Sequence, residues 1–342
     1  MNTKNFLYIS IGFVGLAIII VIFYGLVSNR PQPTITDPLI VEPTGVVEIK
    51  SITAVDDLTD VVYSDLKKLH YVASFDESKI YVINAVSGNN EGEIPLAYPN
   101  KMLMDDTNRL LYVSTGPKTV MELSLDSFQT LREVTVGNRP SRMALTSNRK
   151  YLFVVNEYED TISVIDVATF TVIKTIPVGR RPLDITVNRS GEYVYVVSRD
   201  DATVTKISIS NLNPVGLISN VGRAVRVLPY PVNDLIMVLD QYSNQIYVID
   251  ENTNTIVKSI STVDYPVDFA INETKKEVYV LSFTQNIVGV VSLEQEGVIK
   301  QLQLSSAFES SSGANNLRYD SRSNKVLVTN TNTGKIYIIS LD

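Results

Sequence analysis

The chain has 342 residues, with 30 Lys+Arg against 37 Asp+Glu for a formal net charge of −7, and it contains no cysteine, no tryptophan and one histidine. The missing cysteines exclude disulfides, thiolate metal sites, covalent haem attachment and a lipid-modified amino-terminal cysteine. The lone histidine leaves no multi-histidine metal site, and the acidic balance repels nucleic acid.

Residues 1–5 form a short tail. Residues 6–27 then run without a charge, and as a helix of about 1.5 Å per residue they are ~33 Å long, enough to cross a bilayer core. Tyr8 and Tyr24 lie near the two ends, where aromatic belts sit. A cleaved signal peptide would have a shorter apolar region and a small-x-small site; Gly25-Leu-Val27 is the nearest match. The expectation is therefore an uncleaved single-pass anchor, with secretion after cleavage as the alternative. Lys4 and the α-amino group lie on one side, with Arg30, Asp37, Glu42 and Glu48 on the other. That asymmetry places the tail inside and the large domain outside. Residues 28–44 are a Pro-spaced linker, extended and semi-rigid. Beyond residue 30 the chain holds 28 Lys+Arg against 37 Asp+Glu, a formal charge of −9.

From residue 45 onward short apolar runs alternate with turn residues. In the clearest unit, 141–146, 151–156, 161–166 and 171–178 are rich in Val, Ile, Thr and aromatics, each bounded by Asn, Asp, Gly, Pro or Ser. This is the pattern of four consecutive antiparallel strands. The second strand recurs with starts at Tyr71, Tyr112, Phe153, Tyr195, Met237, Tyr279 and Leu327, a spacing of 41, 41, 42, 42, 42 and 48 residues. A unit of about 42 residues with four strands is the length of one propeller blade. The fold class is therefore all-β, a seven-bladed propeller over 45–342 preceded by one transmembrane helix. The last unit ends after its third strand, and an orphan strand at 46–52 (VVEIKSI) precedes the first unit. The orphan is expected to complete the seventh blade, because an open edge invites aggregation.

The repeat resembles the YVTN-type seven-bladed β-propellers. The resemblance is carried by Leu327-Val-Thr-Asn330, Phe153-Val-Val-Asn156, the run from Asp160 to Asp166 and the Pro177-Val-Gly-x-x-Pro182 turn. Such propellers are found in surface-layer proteins, secreted binding proteins and some enzyme relatives. The resemblance thus implies the fold and leaves function to the site residues.

The first strand of each blade lines the central channel. Near its start the aligned positions hold Asp60, Lys101, Arg142, Asp184, Arg226, Asp268 and Asn316. One reading is structural, opposite charges neutralising one another. The other is a polar site for a zwitterionic or anionic ligand at the channel mouth. The loops between second and third strands open on the same face. They carry Phe75, Tyr158, Tyr242 and Phe283, beside Glu157, Glu159, Asp160, Asp200 and Asp201. Exposed aromatics amid mixed polar groups suit a protein or glycan partner; packing over neighbouring blades is the alternative. The acidic residues read as a solvated face, since no EF-hand-like loop accompanies them. Residues 305–315 lengthen the spacing before the last unit, placing Phe308 as a further partner contact.

His70 occupies a position filled elsewhere by Leu111, Leu152, Val194, Ile236, Val278 and Val326, which makes it a blade-packing residue. Two sequons, at Asn188 and Asn272, fall at equivalent turns of adjacent units, where a turn asparagine is the plainer reading. No metal, cofactor or catalytic residue is assigned. The expected function is a membrane-anchored extracellular propeller that binds a protein, glycan or small ligand at the channel-mouth face, or a scaffold of the cell envelope. A lactonase or lyase is the alternative, with Asp184, Asp268, Arg142 and Arg226 its candidates.

Overall fold

A computed structural model describes residues 9–14, 17–22, 49–53, 58–231, 234–304, 314–321, 323–332 and 334–341. The chain divides into two units, residues 1–39 and 40–342. In the first, Ile9–Val14 and Ala17–Ile22 pair as a two-stranded antiparallel ribbon. The rest of the 6–27 span, for which the sequence suggests a helix, lies outside the described residues, as do 28–44 and Phe308. Among the described residues no helix is long and apolar enough to cross a membrane.

In the second unit the described residues form seven four-stranded antiparallel sheets. Blade 1 runs through Leu58–Ser64, Leu69–Ser74, Lys79–Asn84 and Asn90–Pro95. Blades 2 to 6 repeat the meander, their first strands being Pro99–Asp105, Pro140–Leu145, Pro182–Val187, Ala224–Pro229 and Pro266–Asn272. Blade 7 contains Ala314–Asp320, Lys325–Asn330 and Lys335–Ser340 and takes Ile49–Thr53 as its fourth strand. The register runs from Ile49 opposite Ile339 to Thr53 opposite Lys335, so the expected closure is present. First strands abut in sequence and the last abuts the first, which closes the ring.

Alternation explains why the blades stack. The second strands are buried on both faces, as in Val194 to Ser198, whereas fourth strands such as Thr171–Pro177 alternate and face solvent on one side. Apolar clusters therefore fill each gap between sheets; one packs Tyr71, Ile80 and Ile94 of blade 1 against Met102, Leu111 and Leu123 of blade 2. Each blade alone would leave such a face wet.

The aligned second-strand tyrosines are all buried, but their hydroxyls fare differently. Those of Tyr71 and Tyr112 have no hydrogen-bond partner among the described residues. The Tyr279 hydroxyl accepts from Asn272 at 3.0 Å and donates to Glu277 at 3.0 Å. A lone buried hydroxyl adds nothing and costs desolvation, whereas a shared one leaves partners orphaned when removed. Tyr71→Phe and Tyr112→Phe should therefore unfold at the wild-type temperature or slightly above. Tyr279→Phe should lose about 1–2 kcal/mol, readable by denaturant titration.

His70 is buried beside Tyr63, with ring centroids 5.1 Å apart. Burial lowers its pKa from 6.5 to about 4, Asp320 opposing and Lys325 adding to the fall. The folded state thus stays neutral where the unfolded chain takes up a proton. Above pH 6.5 neither form is protonated, and stability is lost as pH falls from 6.5 towards 4, by at most about 3 kcal/mol. His70→Leu, the residue at this position in blades 2 and 3, should remove that component. Unfolding free energies at pH 7.5, 5.5 and 4.5 should fall more steeply for wild type; parallel curves would refute the assignment.

Candidate functional site

Each first strand carries a register shift near its start, for instance between Pro182 and Asp184 and between Pro266 and Asp268. The extra residue re-aims the side chain that follows. That is how Asp60, Lys101, Arg142, Asp184, Arg226 and Asp268, with Asn316, come to converge around the axis. All seven line one cavity or bond directly to residues that do, Asp268 through Arg226 and Asn316 through Lys101.

The three carboxylates perform the same structural task. Asp60 accepts from the Met102 amide at 2.9 Å, Asp184 from Val227 at 2.8 Å and Asp268 from Leu317 at 2.9 Å. Each acceptor sits on one blade, and its donor lies one residue past the aligned position of the next. Each acid therefore stitches a blade to its successor. Each also holds cations. Arg226 donates to Asp268 at 2.5 Å and pairs with Asp184 at 2.8 Å. Arg142, on blade 3, reaches Asp184 at 3.6 Å and crosses the axis to Asp268, on blade 6, at 3.4 Å. Lys101 donates to Asn316 Oδ1 at 2.8 Å and to the Thr59 carbonyl.

Arg318 completes the network and is the residue that sequence alignment of the blades overlooks. It reaches Asp60 at 3.0 Å and Asp268 at 3.2 Å. The signal was available: Arg318 lies two residues beyond Asn316, hence on the same strand face. The other blades carry Val62, Leu103, Ala144, Thr186, Leu228 and Ala270 there, so no alignment of charges exposes it.

The electrostatics follow from this geometry. Burial raises the pKa of Asp268, but Arg226, Arg142 and Arg318 outweigh it and hold the carboxyl well below the usual range. Burial likewise opposes the charge on Arg226, and Asp184 and Asp268 prevail. For Lys101 burial wins. It pushes the ammonium down to about 7 against Asp60 and Asp268, with Arg142 and Arg318 reinforcing the fall.

The cavity, about 620 Å³, begins at this ring and extends along the first strands to Ser147, Asn188 and Glu273 at the turns that follow them. It therefore leads away from the face on which the second-to-third-strand loops lie. The charged ring is its floor, and the walls are mainly apolar.

On the loop face the predicted aromatics separate into two kinds. Phe75 packs against Tyr98 at 5.3 Å and Phe283 against Tyr265 at 6.1 Å, both half-buried. Tyr158 and Tyr242 are 57% and 78% exposed. Phe75 and Tyr158 share a cleft of about 580 Å³ with Tyr98, Asn100, Asn138 and Arg139; Tyr242 and Phe283 do not line it. The Arg139 guanidinium lies 5.1 Å from the Tyr158 ring centroid. Tyr98 and Arg139 each precede the proline that starts a blade, and both have left-handed backbone, φ 50° and 53°. Such conformations cost about 1 kcal/mol or more in a non-glycine residue.

The acidic residues on this face are not a free carboxylate cluster. Glu157 pairs with Arg139 and Arg181, Glu159 with Lys118, Asp200 with Arg199 and Asp201 with Arg180, while Asp160 accepts the Arg181 amide. Among the described residues no group of three His, Asp or Glu side chains is arranged to hold a metal.

The sequon asparagines are committed inside the fold. Asn188 is 6% exposed and donates to Glu251 at 2.6 Å, and Asn272 is 2% exposed and donates to Tyr279. In the folded blade both amide nitrogens are taken up by these bonds.

A family model described as "Lactonase, 7-bladed beta-propeller" matches residues 108–236, about three of the seven repeats. No curated protein matches the chain. Among solved structures the fold is similar to Kuenenia stuttgartiensis hydrazine synthase, with a TM-score of 0.72 and 14% identity over 84% of this chain and 96% of that one. At that identity the likeness concerns the fold alone, and the comparisons agree with the strand pairing on a seven-bladed propeller that matches the lactonase propellers over part of its length.

Proposed function

We propose that this chain is a YVTN-type binding propeller, held at the membrane by residues 6–27 and presented outside the cell, whose loop face engages an exported protein. The observation that carries the reading is the cleft between blades 1 and 3. Exposed Tyr158 and Tyr98, backed by Phe75 and flanked by Arg139, give large contact area at low entropic cost, the composition favoured at the centres of protein contacts. The paired charges around it supply a polar rim. In a bilayer the 6–27 segment would adopt a helix, since a two-stranded ribbon leaves edge amides unpaired there.

Cross-linking in intact cells tests this. Wild type should capture a protein that Tyr158→Ala and Tyr98→Ala lose, and protease added outside should remove the propeller from the membrane fraction. Capture of glycan alone, or capture unaffected by both substitutions, overturns the partner assignment.

The lactonase match supports a second reading, an enzyme acting at the ring. The geometry weighs against it, because every ring carboxylate already holds a backbone amide and a guanidinium and none is left as a base. Turnover of a lactone panel by wild-type protein would favour the enzyme; none favours binding.

A further inference from the structure

The ring contains four cationic side chains, Lys101, Arg142, Arg226 and Arg318, against three carboxylates. A surplus positive charge away from bulk water is costly unless something neutralises it. Two of the cations, Arg142 and Lys101, are poorly compensated. Arg142 is stretched between Asp184 and Asp268 at 3.6 and 3.4 Å. Lys101 bonds only to neutral oxygens, those of Asn316 and Thr59. Arg318 stands beside them, paired with Asp60 at 3.0 Å and sharing Asp268 with both other arginines. All three line the cavity floor. Level with Arg318, one layer beyond Lys101 and Arg142, stand Leu103, Ala144, Thr186 and Leu228, an apolar layer but for the one hydroxyl.

We propose that the channel cavity binds a small amphiphilic monocarboxylate, its head on Lys101, Arg142 and Arg318 and its apolar body along the walls towards the far mouth. The volume of about 620 Å³ lies within the range of small-molecule sites. A dianion fits less well, since a single charge restores neutrality. A bare inorganic anion would leave the apolar walls wet. The cavity opens away from the loop-face cleft, and only its floor adjoins the cleft, where Lys101 donates to the carbonyl of Thr59.

Lys101 gives the site a pH signature. The groups acting on it are Asp60, Arg142, Arg318 and Asp268, with Asn316 and the Thr59 carbonyl as its bonded partners. A bound carboxylate favours the ammonium form, so binding takes up a proton near pH 7. Affinity then falls as pH rises from 6 to 8.5, because the lysine loses its charge.

The test is calorimetric titration of the purified propeller with hexanoate, acetate, phosphate, hexanol and hexylamine. Hexanoate should bind most tightly, at least tenfold better than acetate or phosphate. Hexanol and hexylamine should not bind measurably. Affinity should drop about tenfold from pH 6 to 8.5, and the heat should depend on the buffer's ionisation enthalpy, marking proton uptake. Arg318→Gln should weaken hexanoate tenfold or more. Should that variant unfold, Thr186→Phe, at a half-buried position that lines the cavity and touches none of the charges, should abolish binding while leaving the melting temperature near wild type. Tyr158→Ala should leave hexanoate binding unchanged, so failure of the partner face and failure of this site are distinguishable. Equal binding of hexanol, no hexanoate binding at millimolar concentration, or hexanoate affinity unaltered by Thr186→Phe would each overturn the proposal.

Discussion

Asp268→Asn is expected to destabilise the propeller by about 3–5 kcal/mol, the cost of removing one partner from a buried charge network. The substitution keeps the shape of the side chain and leaves an amide oxygen able to accept from Leu317. What it removes is the charge facing Arg226, Arg142 and Arg318 at 2.5, 3.4 and 3.2 Å. Asp184 faces two guanidiniums and Asp60 one. The losses should therefore grade as Asp268→Asn, then Asp184→Asn, then Asp60→Asn, measured by denaturant unfolding at pH 7. Adding Arg142→Met to Asp268→Asn should recover part of the loss, because Arg142 is the guanidinium orphaned: it is left with Asp184 at 3.6 Å, whereas Arg226 keeps Asp184 at 2.8 Å and Arg318 keeps Asp60 at 3.0 Å. A flat series, with all three below about 1 kcal/mol, is what surface-like pairs would give and would show that solvent screens the ring.

Removal of residues 45–53 should cost several kcal/mol and cause self-association. Ile49–Thr53 pairs with Lys335–Ser340 over five residues, and each backbone hydrogen bond contributes about 1 kcal/mol net. Without it, Lys335–Ser340 becomes an open edge, and loss of the clasp lets blades 7 and 1 part. The complementary experiment uses the absence of native cysteine. Thr53 and Lys335 are cross-strand partners, so Thr53→Cys with Lys335→Cys should form a disulfide and join the ends of the ring. The enclosed loop of more than 100 residues gives about 5 kcal/mol in the chain-entropy account. A gel-shift on reduction checks the bond, and the melting temperature with and without reductant checks its effect. If the deleted chain melts like wild type, or the thiols stay free, the seam is elsewhere.

The period of about 42 residues, the strand alternation within it and the unpaired strand ahead of the first unit determined the seven blades, their order and the seam. These are legible in the sequence because they are local: each blade is one meander, and the same physics writes the same pattern seven times. His70 could be placed for the same reason, by its apolar counterparts. The ring of Asp60, Lys101, Arg142, Asp184, Arg226, Asp268 and Asn316 was likewise visible as a set of equivalent positions.

Only the tertiary structure decided what those positions do to one another. Arg142 meets Asp268 across the axis, 126 residues away in sequence, and Arg318 enters from a strand position that is apolar in most other blades. Contacts across the ring have no period, so no repeat reveals them. The same holds for the arginines that neutralise the acids of the loop face, and for the burial of Asn188 against Glu251. The direction in which the cavity opens depends on how seven first strands lean together, a property that no single blade possesses.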